Sequence, residues 1–346
     1  MATTMTMADL DVYDTPREGS QRVAVLRAPG RIETAWADVP EPGDGEVRVK
    51  IKYVGVCGSD VEAFRGNRRP EFLFMPVRLG HEVAGTIDRV GPNAQGVAVG
   101  DRVTCRYVWG AFAQYIVCRP FHVKALPERF PMKETSLVEI LPGVIHAAEL
   151  ADIDHRTSVL VTGQGVSGLV LTQVLALYSP KALAVTDLKP GNLELARKYG
   201  ATHAYRVPSG DTPTMDVVKR DFPDGFDVVV PCLLDGEGMI DALDCCTTGA
   251  KIVMYGCIGV CHEPFDFFKM HRKRATIVST EPRRDIDMRR FFDQGVGMVL
   301  DGLVNTGEMI THIVPLTEID RAFALRHGNA EEDSIHVLVD CEAPSA

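Results

Sequence analysis

The stretch SVLVTGQGVSGLVLTQVLALY (158–178), with ALAVTD (182–187) after it, decides how the chain folds. SVLVTG has the length and apolarity of a buried strand, VSGLVLTQVLALY carries helical periodicity, and ALAVTD is a second buried strand. GNLELARKYG (191–200) reads as another helix closed by glycine, and HAYRV, FDVVVPC and AKIVMYG supply further strands. Strand–helix alternation implies an α/β architecture with a parallel, doubly wound sheet covered on both faces. Gly163-Gln164-Gly165-Val166-Ser167-Gly168 is a GxGxxG placed directly between strand and helix, and Asp187 closes the next strand 19 residues after Gly168. Gly163 permits the tight turn, Gly165 lets backbone N–H groups approach a pyrophosphate, and Gly168 lets helix and strand pack closely. The helix start offers unpaired donors and the positive end of its dipole. Asp187 can accept hydrogen bonds from a ribose 2′-OH and would repel a 2′-phosphate, which favours NAD(H) over NADP(H). Lys189, near the ribose end, weighs slightly the other way, although a solvated lysine explains it. The alternative is a glycine turn that binds no nucleotide; strand, helix and Asp187 together weigh against it.

Outward from this core, the 346 residues exceed what one hydrophobic core holds, so two domains are expected. From about 21 to 125 the pattern is β-rich: EVRVKIKYVGV (46–56), VAGTIDRV (83–90), DRVTCRYV (101–108) and FAQYIVC (112–118) alternate or are β-branched, with Gly and Pro between them. Residues 132–151 turn helical, and the chain ends on the strand SIHVLVD (334–340). A net charge of −10 argues against nucleic acid or an anionic membrane as partner. No apolar run reaches the roughly 20 residues that span a bilayer. Nine cysteines, an odd number without a CxxC, and an N-terminus that does not read as a secretion signal exclude a disulfide framework and fit a reducing cytoplasm.

Cys57, at the end of a strand, and His81, 24 residues later, lie within CGSD (57–60) and GHE (80–82), and Glu139 precedes the nucleotide-binding half. Thiolate, imidazole and carboxylate form a ligand set that suits Zn²⁺ with an open fourth position. From spacing alone, a buried cysteine packed as a small hydrophobe and a structural histidine remain the stronger reading.

CGSD (57–60), GHEVAGTIDRVGPNA (80–94), GDRV (100–103), GAFAQY (110–115), EILPGVIHA (139–147), GQGVSG (163–168) and ITHIVPLTEIDRAF (310–323) run in one order along nearly the whole chain. In these motifs the chain resembles the zinc-dependent medium-chain alcohol and polyol dehydrogenases, and within them the sorbitol and threonine dehydrogenase branch. The resemblance implies a GroES-like β-rich catalytic domain over about 1–150 and 285–346, with 1–20 as an extension. A Rossmann NAD-binding domain spans about 151–284, with the active cleft between the two. It implies that Cys57 and His81 bind the catalytic zinc, that Glu82 is a direct or adjacent carboxylate, and that Glu139 is a direct or water-mediated third ligand. Asp60 would hydrogen-bond the His81 ring and fix its tautomer. Ser59 would hold the substrate hydroxyl proton and start its relay to solvent. Many relatives end that relay with a histidine three residues after this Ser; here Glu62 stands there, either as a terminal acceptor or as surface charge.

The chain departs from many relatives in lacking a lobe of four cysteines for a structural zinc: only Thr104–Trp109 separate GDRV from GAFAQY, and Cys105 is alone there. One zinc per chain is therefore expected. The shortened segment should open the site to a larger substrate, with Phe64, Arg65, Asn67, Tyr107 and Trp109 nearby. Arg283 and Arg284, in STEPRRD, are further candidates to meet substrate, and CIGVCHE (257–263) reads as a turn rather than a metal site. The expected activity is NAD-linked interconversion of a secondary alcohol and ketone on a polyol, sugar or aminocyclitol/aminoglycoside-type substrate, in a cytoplasmic homodimer or homotetramer. The rivals are a zinc-free NADPH quinone or enone reductase of the same superfamily, which lacks the Cys–His–Glu set, and a non-catalytic cofactor-binding protein.

Overall fold

The computed structural model describes residues 11–68, 73–208, 212–233, 236–256, 261–280, 285–327 and 333–343. Arg283, Arg284 and Cys257 lie outside them. The strands run β1 (Val12–Tyr13), β2 (Ser20–Ala28), β3 (Arg31–Asp38), β4 (Val47–Gly55), β5 (Glu82–Val90), β6 (Arg102–Cys105), β7 (Tyr115–Cys118) and β8 (Val123–Ala125). There follow β9 (Ser158–Thr162), β10 (Ala182–Asp187), β11 (His203–Arg206), β12 (Phe226–Pro231), β13 (Cys246–Met254) and β14 (Thr276–Ser279), then β15 (Ile310–Pro315) and β16 (His336–Asp340).

The chain divides into two compact units, Met1–Glu139 with Thr306–Ala346, and Ile140–Asn305. Sequence rhythm puts the boundaries near 150 and 285 instead. The difference has a packing cause: helices Leu141–Ala151 and Asp285–Leu300 belong together in the second unit. A Cβ on Gly295 would stand only 2.7 Å from Leu141 Cβ. Among the described residues no helix is long and apolar enough to cross a membrane.

In the first unit, β15-β16-β4-β5-β6-β8 form a sheet with β7 also paired to β4, and β1-β3-β2 form a second, smaller sheet. All pairs are antiparallel except β15 with β16. Alternate residues of a strand share a face, so Val47, Val49 and Ile51 of β4 enter one core with Val83, Ile87, Val103, Phe112, Phe323 and Val337.

In the second unit all six strands are parallel, in the order β11-β10-β9-β12-β13-β14. Every residue of β9 is buried, as a strand covered on both faces requires. The chain switches direction across the sheet between β9 and β12, and sheets of this kind bind ligands outside the carboxyl ends of the strands at such a point.

Candidate active site

Strand register explains how residues 24 apart in sequence meet. β4 pairs antiparallel with β5, Gly55 opposite Glu82, so Cys57, just past one strand, faces His81, just before the other. Cys57 is also the N-cap of helix Gly58–Arg65. The Cys57 N–H donates to Asp60 Oδ2 at 3.1 Å, and the Gly80 N–H donates to Asp60 Oδ1 at 3.1 Å. The fully buried Asp60 thus ties both ligand-bearing segments together. Its Oδ1 stands 3.6 Å from His81 Nδ1, too long for a hydrogen bond. Asp60 therefore spends its hydrogen bonds on backbone, and acts on the ring as a neighbouring charge. One ligand atom each from Cys57, His81 and Glu82 lie within 4.8 Å of one another, the single such metal-capable group among the described residues. The Trp109 ring lies against the His81 ring, centroids 4.4 Å apart.

Burial, with the Glu82 charge beside it, pushes the Cys57 thiol up. Burial likewise pushes Glu82 up to about 7, aided by Glu139. For His81 burial works downward, but Asp60 and Cys57 outweigh it and hold the ring well above its usual range. Ser59 Oγ, His81 Nδ1 and Glu82 Oε2 are buried without a hydrogen-bond partner. Protonated acids beside a proton-holding imidazole limit the charge of a buried group of donors; a divalent cation would displace those protons. With thiolate, Glu82 and Asp60 as anions and the histidines neutral, one divalent ion together with Arg326 would bring the group to neutrality. Arg326 is half-buried, donates to the carbonyls of Val56 at 3.1 Å and Ile335 at 2.8 Å, and its charge interacts with those of Cys57, Glu82 and Asp60. The donor set, the orphaned atoms and the charge balance all fit zinc.

Glu139 lies outside the close group. Its Oε1 accepts from Arg106 Nη1 at 2.9 Å, as does its backbone carbonyl at 2.6 Å, and both side chains are buried. Arg106 comes to this place because β6 ends at Cys105 opposite Val83, the neighbour of Glu82. Glu62 is buried rather than a surface charge: it accepts from Arg65 at 3.0 Å and from Asn67 at 2.8 Å. Phe64 packs on Phe323, and Tyr107 is exposed. Arg106, Arg326 and His336, which border this group, are not singled out by the sequence. For His336 the available signal was a polar side chain in the otherwise buried strand HVLVD.

In the second unit Gly163 has φ +83°, a left-handed conformation that glycine adopts freely, and nothing stands within 4 Å of a Cβ built on Gly165. A Cβ on Gly168 would lie 1.9 Å from the Gly163 carbonyl oxygen. Gly168→Ala is therefore expected to displace the turn and cost about 1–3 kcal/mol, with weaker dinucleotide binding; thermal unfolding and fluorescence titrations with NADH and NADPH check this. Val166 opens helix Val166–Ala176, with Ser167 in its first turn. Gln164 Oε1 accepts from Thr172 at 2.9 Å inside that helix. Asp187 Oδ2 accepts from the Gln164 N–H at 2.6 Å, and Oδ1 from the Lys189 N–H at 2.8 Å.

Two family models match the chain: the alcohol dehydrogenase GroES-like domain over 43–128 and the zinc-binding dehydrogenase domain over 168–292. Sorbitol dehydrogenase of Bacillus subtilis is 30% identical over 68% of this chain and 75% of its own length. D-xylulose reductase of Saccharomyces cerevisiae is 30% identical over 68% and 76%. Among solved structures, galactitol-1-phosphate dehydrogenase from Escherichia coli superposes with a TM-score of 0.77 at 22% identity, over 92% of this chain and 99% of that one. The chain belongs to the zinc-type medium-chain alcohol and polyol dehydrogenase family.

Proposed function

We propose that the protein is a zinc-dependent, NAD-linked dehydrogenase that interconverts a secondary alcohol and its ketone on a polyol or sugar-like substrate. The reading includes one zinc per chain, action in the cytoplasm and a homodimeric or homotetrameric state. The observation that carries it is the group of half-buried Cys57 with buried His81 and Glu82, ligand atoms within 4.8 Å of one another, with the orphaned Ser59 hydroxyl two residues after Cys57. Cys57, His81 and Glu82 would hold zinc, which supplies Lewis-acid polarisation of the substrate hydroxyl and lowers its pKa. Asp60 keeps Cys57 and His81 in place through their backbone segments. Ser59 accepts the hydroxyl proton and passes it on; Glu62, occupied with Arg65 and Asn67, braces the helix instead of ending the relay. Gly163, Gln164, Gly165, Val166, Ser167 and Gly168 would hold the pyrophosphate of NAD, which supplies the hydride acceptor, and Asp187, with Lys189 near it, would meet the ribose. The names of the sorbitol- and xylulose-converting relatives support a polyol. Glu139 is held by Arg106, which favours Glu82 over Glu139 as the carboxylate on the metal.

The test is elemental analysis combined with a screen of NAD⁺ and NADP⁺ reduction against polyols, sugars and aminoglycosides. One zinc per chain and NAD⁺ reduction by a polyol are expected. Two zincs would overturn the single-site reading. NADPH-linked enone reduction without zinc would replace the dehydrogenase reading with that of a reductase.

A further inference from the structure

A carboxylate that serves a metal needs its other oxygen held. Glu82 Oε2 lies 3.3 Å from His336 Nε2, and both side chains are almost completely enclosed. That oxygen and both ring nitrogens of His336 are buried and make no hydrogen bond in the structure, so the two side chains stand in close approach with their polar atoms unsatisfied. His336 begins β16, which pairs with β4 so that Leu338 faces Gly55; the ring is therefore delivered by the far end of the chain to the back of the ligand group. Gly55 completes the fit: a Cβ there would stand 2.1 Å from Glu82 Oε2 and 2.6 Å from His336 Nε2. The strand has thus been left bare where the two side chains meet. Arg326, the nearby cation, directs hydrogen bonds to the Val56 and Ile335 carbonyls.

We propose that His336 is a positioning residue for the metal centre: its Nε2–H donates to Glu82 Oε2 and turns the other carboxylate oxygen toward Cys57 and His81. The role is that of the outer partners that orient metal ligands, with the usual arrangement inverted, because here a histidine orients a carboxylate. His336 itself touches neither substrate nor cofactor. The proposal rests on the reading that Cys57, His81 and Glu82 bind zinc.

The experiment uses the full chain, with zinc alone as the probe. Zinc affinity is measured by competition with a chromogenic chelator for the unsubstituted protein, His336→Leu and His336→Gln. The visible absorption of each cobalt-loaded form reports the coordination. His336→Leu removes the donor and should weaken zinc binding about 10–100-fold and alter the cobalt bands. His336→Gln restores an N–H and should recover most of both. Should the leucine variant not fold, His336→Met, apolar and more adaptable, takes its place. An apolar variant that is folded and binds zinc within about twofold of the unsubstituted protein would overturn the proposal while leaving the metal centre intact. Failure of the unsubstituted chain to take up zinc would overturn the metal reading itself, and the role of His336 with it.

Discussion

Arg106→Leu is expected to destabilise the protein by about 3–5 kcal/mol, because it strands a buried carboxylate. The Arg106 and Glu139 side chains are only 10% and 9% exposed, so water cannot take over the lost charge partner. The guanidinium also serves the Glu139 carbonyl, leaving a second group unsatisfied when it is removed. The magnitude belongs to breaking the pair rather than to the net contribution of the pair. Arg106→Leu combined with Glu139→Leu should therefore recover much of the loss. Urea denaturation of the single and double variants distinguishes the two situations. A single variant within about 1 kcal/mol of the parent would mean that Glu139 has another partner or takes up a proton cheaply.

The second large effect concerns catalysis. Cys57→Ser should lose zinc and about 10³-fold or more in turnover, since Lewis-acid stabilisation supplies several kcal/mol and each 1.36 kcal/mol is a factor of ten. The substitution is unusually clean. Cys57 caps helix Gly58–Arg65, and serine is among the preferred N-cap residues, so the helix should survive. Its N–H still has the Asp60 carboxylate to bond. The parent and variant should then unfold at similar temperatures when both are metal-free, and differ only when zinc is present. A variant that keeps zinc and full turnover would remove Cys57 from the chemistry.

Much of this was readable in the linear chain, for reasons that differ by residue. The GxGxxG turn and its flanking strand and helix are local, so periodicity and glycine spacing reveal them. Cys57, His81 and Glu82 are legible because short motifs carry them, although only the β4–β5 register brings them together. Arg106 and His336 leave no such trace. Their partners stand 33 and 254 positions away, at Glu139 and Glu82, and strand register in the folded sheet decides the contact. Glu62 shows the opposite limit: one helical turn beyond Ser59, it looks like a relay group or a surface charge until the fold buries it against Arg65 and Asn67. Domain boundaries were shifted for a similar reason, because helix-on-helix packing around Gly295 follows shape complementarity rather than composition.

The hydrogen bonds at Asp187 bear on any attempt to redesign coenzyme choice. On the proposal that Asp187 meets the coenzyme ribose, an obvious exchange would replace this acid with a small neutral residue to admit a phosphorylated ribose. Yet the same carboxylate staples the Gln164 amide of the glycine turn to the amide of Lys189 at the end of the neighbouring strand, and also receives the Asn192 side chain at 3.3 Å. Removing it would slacken the turn at the moment the new ligand needs it rigid. An engineered switch in preference would thus have to supply a replacement acceptor for the Gln164 amide before it supplied a new cation for the phosphate.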